Sequence, residues 1–290
     1  MPDKNIDIGI IGGSGVYEFE GLEDIKKIDI NTPFGRPSDS IVTGRVNNLR
    51  VAFLPRHGKG HYLIPSKVNY RANIFALKKL GVNKIIGVSA VGSMKKELAP
   101  GDLVIVDQFF DRTKNRESTF FSNGLVSHIG FGQPVCEELI GLINRESQDK
   151  DLKVHKGGTY ICIEGPQFST YAESRIYRSW GVDVIGMTAI PEAKLAREAE
   201  ICYATMAFIT DYDCWNKEHE AVTAEMVVGQ VKENSCNAKA ILKDIFLALE
   251  ENNIKECSCR NALKPAIQTA PEAIDETMKE KLNILVNKYL

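Results

Sequence analysis

Asp211 and Asp213 stand two residues apart where the apolar run ICYATMAFITD (201–211) ends. Side chains alternate with period two in an extended strand, so both carboxylates project from one face. A carboxylate pair without a histidine or cysteine cluster suits hydrogen bonding or general acid work more than metal binding; loop capping would use the same residues. Arg56-His57 directly follows the run RVAFLP (50–55). A guanidinium fork there suits a phosphate, and an exposed pair on a turn is the alternative. Gly12-Gly13-Ser14-Gly15 follows the run IDIGII (6–11). Its backbone N–H groups can form an anion-binding nest, with the Ser14 hydroxyl as a further donor, or simply a tight strand exit. Ser89-Ala90 and Met187-Thr188 stand at other strand ends, where Ser89 and Thr188 could complete the shell of a shared phosphate. Phe168, after Gly165-Pro166, could stack on a flat ring or belong to the core.

Several other chemistries lack their residues. A dinucleotide loop needs G-x-G-x-x-G opening a helix, and Gly13, Gly15 and then Glu18 break that spacing. His57 and His61 straddle GKG in a loop without the Glu of a helical zinc motif, and no G-x-S-x-G nucleophile elbow is present. The seven cysteines are scattered without CxxC spacing, which argues against a zinc site, and no metal is expected. Within ECSCR (256–260), Cys257 and Cys259 could close a small strained disulfide or clip a C-terminal extension.

The elements that must position these groups are β-branched apolar runs at 6–11, 40–46, 50–55, 84–92, 102–109, 158–165, 183–187 and 201–211. Several are continuous rather than alternating, as strands covered on both faces must be. Helical patterns lie between them at 66–81, 134–146, 170–181, 190–200 and 223–251. The alternation predicts an α/β fold: a single domain on a large mixed, mostly parallel β-sheet flanked by helices. Residues 1–255 form that domain, and 256–290 an extension with a terminal helix packed on it. Ligands of such sheets collect at the carboxyl ends of the strands, where the polar groups above cluster.

A formal net charge of −2 gives no basic stripe for nucleic acid. No stretch reaches the roughly 18 apolar residues of a spanning helix. The first apolar run is interrupted at Gly9, too short for a signal segment. The chain is therefore expected to be cytoplasmic, with neither membrane nor nucleic acid as partner.

Taken together, GIIGGSG, TPFGRPSD, RHGKGH, IPSKVNYRANI, SAVGS, PGDLVIVDQFFDRT, IEGPQFST, WGVDVIGMTAIPEAKLARE and TDYDCW resemble the trimer-forming branch of the purine nucleoside phosphorylases, in particular its 5′-methylthioadenosine phosphorylases, from about residue 6 to 250. The resemblance implies attack of inorganic phosphate on the anomeric carbon of the sugar as the purine departs, with phosphate a co-substrate and no cofactor. It implies phosphate held by Ser14, Arg56, His57, Ser89, the Ala90 backbone and Thr188. Met187 would then meet the ribose, Phe168 the base, and Asp211 the purine N7 and amino group, with Asp213 in support. Asp211 must then carry or share a proton near neutral pH. The sister branch that prefers 6-oxopurines carries Glu where Ser169 stands, Asn where Asp211 stands and a His near Ala224. Small apolar Ala224, Val227 and Val228 suit a thioether instead. Ala224 is smaller than the family's usual Val and leaves room for a 5′-hydroxyl, so adenosine, inosine or guanosine could also be accepted. His128 matches a position that reaches the 5′ pocket of a neighbouring subunit, which implies a homo-oligomer, a trimer or a dimer of trimers. A broad-specificity phosphorylase, a hydrolytic nucleosidase and a non-catalytic purine-binding oligomer are the competing readings.

Overall fold

A computed structural model of the chain describes residues 5–13, 15, 19–122, 124–216, 224–251 and 257–290, the helical residues 224–228 without their side chains. Among the described residues, one sheet of eleven strands organises the molecule. The strands are β1 (Ile8–Gly12), β2 (Glu23–Ile28), β3 (Ile41–Val46), β4 (Leu49–Pro55), β5 (Lys84–Ser93), β6 (Leu103–Ile105), β7 (Gln108–Arg112), β8 (Val154–Lys156), β9 (Thr159–Ile163), β10 (Val184–Gly186) and β11 (Cys202–Asp211). Their order is β2-β3-β4-β1-β5-β10-β9-β7, with β11, β6 and β8 branching from β5. Six of these pairings are parallel and four antiparallel. The expected mixed, mostly parallel α/β sheet is the one found.

The branch at β5 creates the site. Along one edge β11 pairs with β5 from Lys84 to Gly92. The other edge is shared: β1 pairs with Ile85–Gly87 and β10 runs antiparallel at Gly92 and Ser93. Val88–Val91 are therefore left without a strand neighbour on that edge, and a ligand can reach backbone there. The continuous apolar runs follow from two-sided cover: β1 is buried throughout and β11 throughout except at Asp211.

The helices are α1 (Tyr70–Lys79), α2 (Glu137–Ser147), α3 (Tyr171–Ser179), α4 (Ala189–Glu198), α5 (Ala224–Glu250) and α6 (Glu276–Val286). α1 starts later than its periodicity predicts, because Pro65–Lys67 form a separate 3₁₀ turn and Asn69 caps the helix by accepting from the Ala72 N–H at 3.1 Å. α3 opens on a capping box between Thr170 and Glu173. The run 102–109 is two strands rather than one, β6 and β7, with Asp107 between them accepting from the Gly158 N–H at 3.0 Å. β2 and β8 carry no apolar signature; β2 is an edge strand with five of its six residues exposed.

The C-terminal segment packs into the same apolar cluster as the sheet through Cys259, Leu263, Ile274, Leu282, Leu285 and Val286. Glu200 ties it down: its carboxylate accepts from the Leu263 N–H at 3.0 Å and the Tyr289 hydroxyl at 2.6 Å and pairs with Lys288 at 2.8 Å. Cys257 and Cys259 are both free thiols, so the pair closes no disulfide; burial and these polar contacts hold the segment. Among the described residues no helix is long and apolar enough to cross a membrane.

Candidate active site

A cavity of about 640 Å³ opens at the β5 branch, and Gly13, Arg56, His57, Ser89, Ala90, Phe168, Ser169, Met187, Thr188, Asp211 and Asp213 all line it. One end gathers Arg56, His57, Ser89 and Thr188, groups able to bond an anion. The β1–β4 register sets Gly12 beside Pro55, and the Arg56 N–H donates to the Gly12 carbonyl at 2.9 Å. The glycine turn and Arg56-His57 thus leave the sheet side by side. Arg56 is buried and oriented by Glu192, to which its Nε and Nη2 donate at 2.8 and 2.9 Å. Its Nη1 and Nη2 also donate to the carbonyls of Val88 and Ile11 at 2.8 and 3.1 Å. Of the five guanidinium N–H groups, one on Nη1 is left over from these contacts. Burial opposes its charge, but the Glu192 carboxylate raises its pKa, so the cation is permanent.

His57 behaves differently. Its Nδ1 meets the Leu63 carbonyl at 2.8 Å; a carbonyl only accepts, so Nδ1 carries the proton and Nε2 keeps its lone pair. Burial, then the Arg56 charge, lowers its pKa to about 4. The neutral ring stacks on His61 at 4.3 Å and can accept from a protonated phosphate oxygen. Ser89 Oγ and Thr188 Oγ1 lie 3.4 Å apart, two buried hydroxyls that can bond one anion. Val88 turns its carbonyl to the open edge of β5, so alternation turns the Ala90 N–H the same way.

The other end carries the two carboxyl groups Asp211 and Asp213. Asp211 Oδ2 accepts from the Thr210 hydroxyl at 2.7 Å and Oδ1 from the Asp213 N–H at 2.8 Å. Burial raises its pKa. Asp213 is also raised, by burial and by the Asp211 charge, while the Ser174 hydroxyl that donates to it works in the opposite direction. Gly92 lies close to this carboxyl: a Cβ there would stand 2.9 Å from Asp211 Oδ1 and displace it. Ser169 Oγ is buried and has no hydrogen-bond partner among the described residues, an unsatisfied polar group at the cavity wall. Phe168 is 54% exposed and stands over the cavity rather than in the core.

Two groups escaped the sequence reading. Glu192 is wholly buried; its signal was an acid on the apolar stripe with Leu195 and Ala196 of α4 and Ala199 at its C-cap. Arg116 is a clamp, donating to the carbonyls of Met187, Ile190, Ile163 and Glu164 at 2.7, 2.8, 3.2 and 2.8 Å. It draws the ends of β9 and β10 together beneath the cavity, and no local pattern marks such a role.

The remaining assigned residues fall into two groups. Ser14 lies outside the described residues, as do the side chains of Ala224, Val227 and Val228. His128 is exposed and does not line this cavity; its N–H donates to the Ala266 carbonyl at 2.9 Å.

A fold of this kind has counterparts among known proteins. A family model described as the phosphorylase superfamily matches residues 7–247, and the chain belongs to that family. The S-methyl-5′-thioadenosine phosphorylase of Geobacter sulfurreducens is 53% identical over 284 residues, covering 98% of this chain and 99% of that one. The enzyme of the same name from Gloeobacter violaceus is 52% identical over 97% of this chain and 95% of its own. Among solved structures, a methylthioadenosine phosphorylase from an antarctic soil metagenomic library superposes with a TM-score of 0.93 at 47% identity, covering 98% of this chain and 99% of that one. A methylthioadenosine phosphorylase from Schistosoma mansoni in complex with adenine gives 0.81 at 34%, over 98% of each chain.

Proposed function

We propose that this protein cleaves 5′-methylthioadenosine with inorganic phosphate, giving adenine and 5-methylthioribose 1-phosphate. The observation that carries this reading is the single cavity joining an anion end, at Arg56, Ser89 and Thr188, to the raised carboxyl of Asp211. A phosphate oxygen bonds to C1′ of the sugar as the C1′–N9 bond breaks, and the bonding electrons leave with the purine. Departure of adenine develops negative charge on the ring, and a protonated Asp211 at N7 donates the compensating proton. Asp213 positions Asp211 through its backbone N–H. The phosphate dianion faces the positive charge growing on the sugar, and Ser14, Arg56, His57, the Ala90 N–H and the two hydroxyls hold it there. Met187 packs on the ribose, Phe168 covers the base, and Ser169 Oγ takes a polar edge of the ligand.

Ala224, Val227 and Val228 form the thioether pocket, with adenosine a poorer substrate. The working form is a cytoplasmic homo-oligomer, a trimer or a dimer of trimers, in which His128 closes the 5′ pocket of a neighbour. The exposed rings and chains of Phe110, Tyr171, Ile176 and Trp180 support such an interface, since monomers rarely expose so many large apolar groups close in the fold. A panel of methylthioadenosine, adenosine, inosine and guanosine at saturating phosphate tests the specificity: methylthioadenosine should have the highest kcat/KM, and a preference for inosine would overturn it.

A further inference from the structure

Four of the seven cysteines, from three separate segments of the chain, meet in the fold. Cys136 precedes α2, Cys202 begins β11, Cys257 precedes the 3₁₀ turn at Ser258–Asn261 and Cys259 lies within it. Their sulfur atoms all lie within 4.8 Å of one another. Cys202 Sγ stands 2.9 Å from Cys257 Sγ, and Cys136 Sγ 3.7 Å from it. Three of the four are buried and Cys257 is half-buried. None lines the catalytic cavity. No CxxC spacing marks the group in the sequence, because three separate segments supply the sulfurs.

We propose that Cys136, Cys202, Cys257 and Cys259 form a structural zinc site that fastens the C-terminal segment to the sheet. Four thiolates around zinc at about 2.3 Å stand at tetrahedral corners about 3.8 Å apart, inside the span these sulfurs already have. A group this tight cannot surround the several iron atoms of an iron–sulfur cluster, so a single ion is the occupant. Soft thiolate donors in a closed four-coordinate set select zinc over magnesium or calcium. Binding displaces the four thiol protons to solvent and leaves a net charge of −2 on the site. Arg197, which donates to the Val135 carbonyl beside Cys136, and Lys84 lie within electrostatic reach of these sulfurs and offset it. With four protein ligands no position stays open for substrate, so the role is structural.

The test is elemental analysis of the untagged full-length protein purified under reducing conditions without chelator. Near one zinc per chain is expected, lost in Cys202→Ser and Cys259→Ser and retained in the exposed-site control Cys236→Ser. Should the serine variants fail to fold, the wild-type protein still decides. Its metal-free form should take up Co²⁺ with an intense thiolate-to-cobalt absorption band, and mercurial release of zinc should lower Tm by several degrees. Wild-type protein free of zinc, with all seven thiols titrating and no cobalt band, overturns the proposal. So does alkylation and mass analysis showing these four sulfurs paired as two disulfides.

Discussion

Arg56 and Glu192 meet in a two-pronged ion pair, Nε to Oε2 at 2.8 Å and Nη2 to Oε1 at 2.9 Å, with side chains 2% and 1% exposed. Tyr203 adds a hydroxyl to Glu192 Oε1 at 2.9 Å. The cation at the anion end of the cavity is thus aimed from behind by an acid on α4.

Removing one partner of a buried pair leaves an uncompensated charge, which costs about 3–5 kcal/mol. Glu192→Ala should lose stability of that order in urea unfolding. Any folded fraction should show a raised KM for phosphate with little change in nucleoside affinity.

Asp211→Asn should reduce kcat/KM for methylthioadenosine by about a hundredfold or more, the scale of a lost general acid, and cost inosine cleavage less. In the wild type the protonated carboxyl is the active form, so the rate should fall as pH rises through its raised pKa. The variant should lose that limb, and equal losses on both substrates would contradict the assignment.

Gly92→Ala sets a Cβ 2.9 Å from Asp211 Oδ1. The carboxylate must move, and a misplacement near 1 Å can cost about a hundredfold. A steady-state assay should find kcat reduced while thermal unfolding changes little.

Arg116→Met removes the clamp on the carbonyls of Ile163, Glu164, Met187 and Ile190. Because Arg116 positions residues and donates no proton to the reaction, kcat/KM should fall about 10- to 100-fold with the pH profile unmoved.

Glu198 provides a stability test away from the site. Burial pushes its pKa up to about 7, although the Thr119 hydroxyl and Phe120 N–H donate to it at 2.6 and 2.7 Å. The folded state then binds the proton more tightly than the unfolded state. Its contribution is full below the ordinary glutamate value and is lost as pH rises through about 7. Urea unfolding at pH 5 and pH 8 should show that loss in the wild type and a flatter profile in Glu198→Gln.

The strands that matter most were legible because two-sided burial writes continuous apolar runs, as in β1, β5 and β11, and the polar residues interrupting or ending those runs became the cavity wall. Ser89-Ala90 stood out for a reason other than the one expected. They lie within β5 rather than at its end, and are reachable because β1 and β10 leave that stretch of edge open. β2 was invisible because an exposed edge strand needs no apolar pattern. Arg116 was invisible because its partners come from distant segments, and of the four-cysteine group only the Cys257-x-Cys259 pair left a trace in the spacing, since Cys136 and Cys202 are brought to it from elsewhere in the chain.

Adenine release from methylthioadenosine, followed while phosphate is varied from none to saturation, tests the central claim most directly. The rate should rise hyperbolically with phosphate from near zero, with one 5-methylthioribose 1-phosphate formed per adenine. Undiminished release in phosphate-free buffer, with free 5-methylthioribose as product, would make the protein a hydrolase and contradict the account.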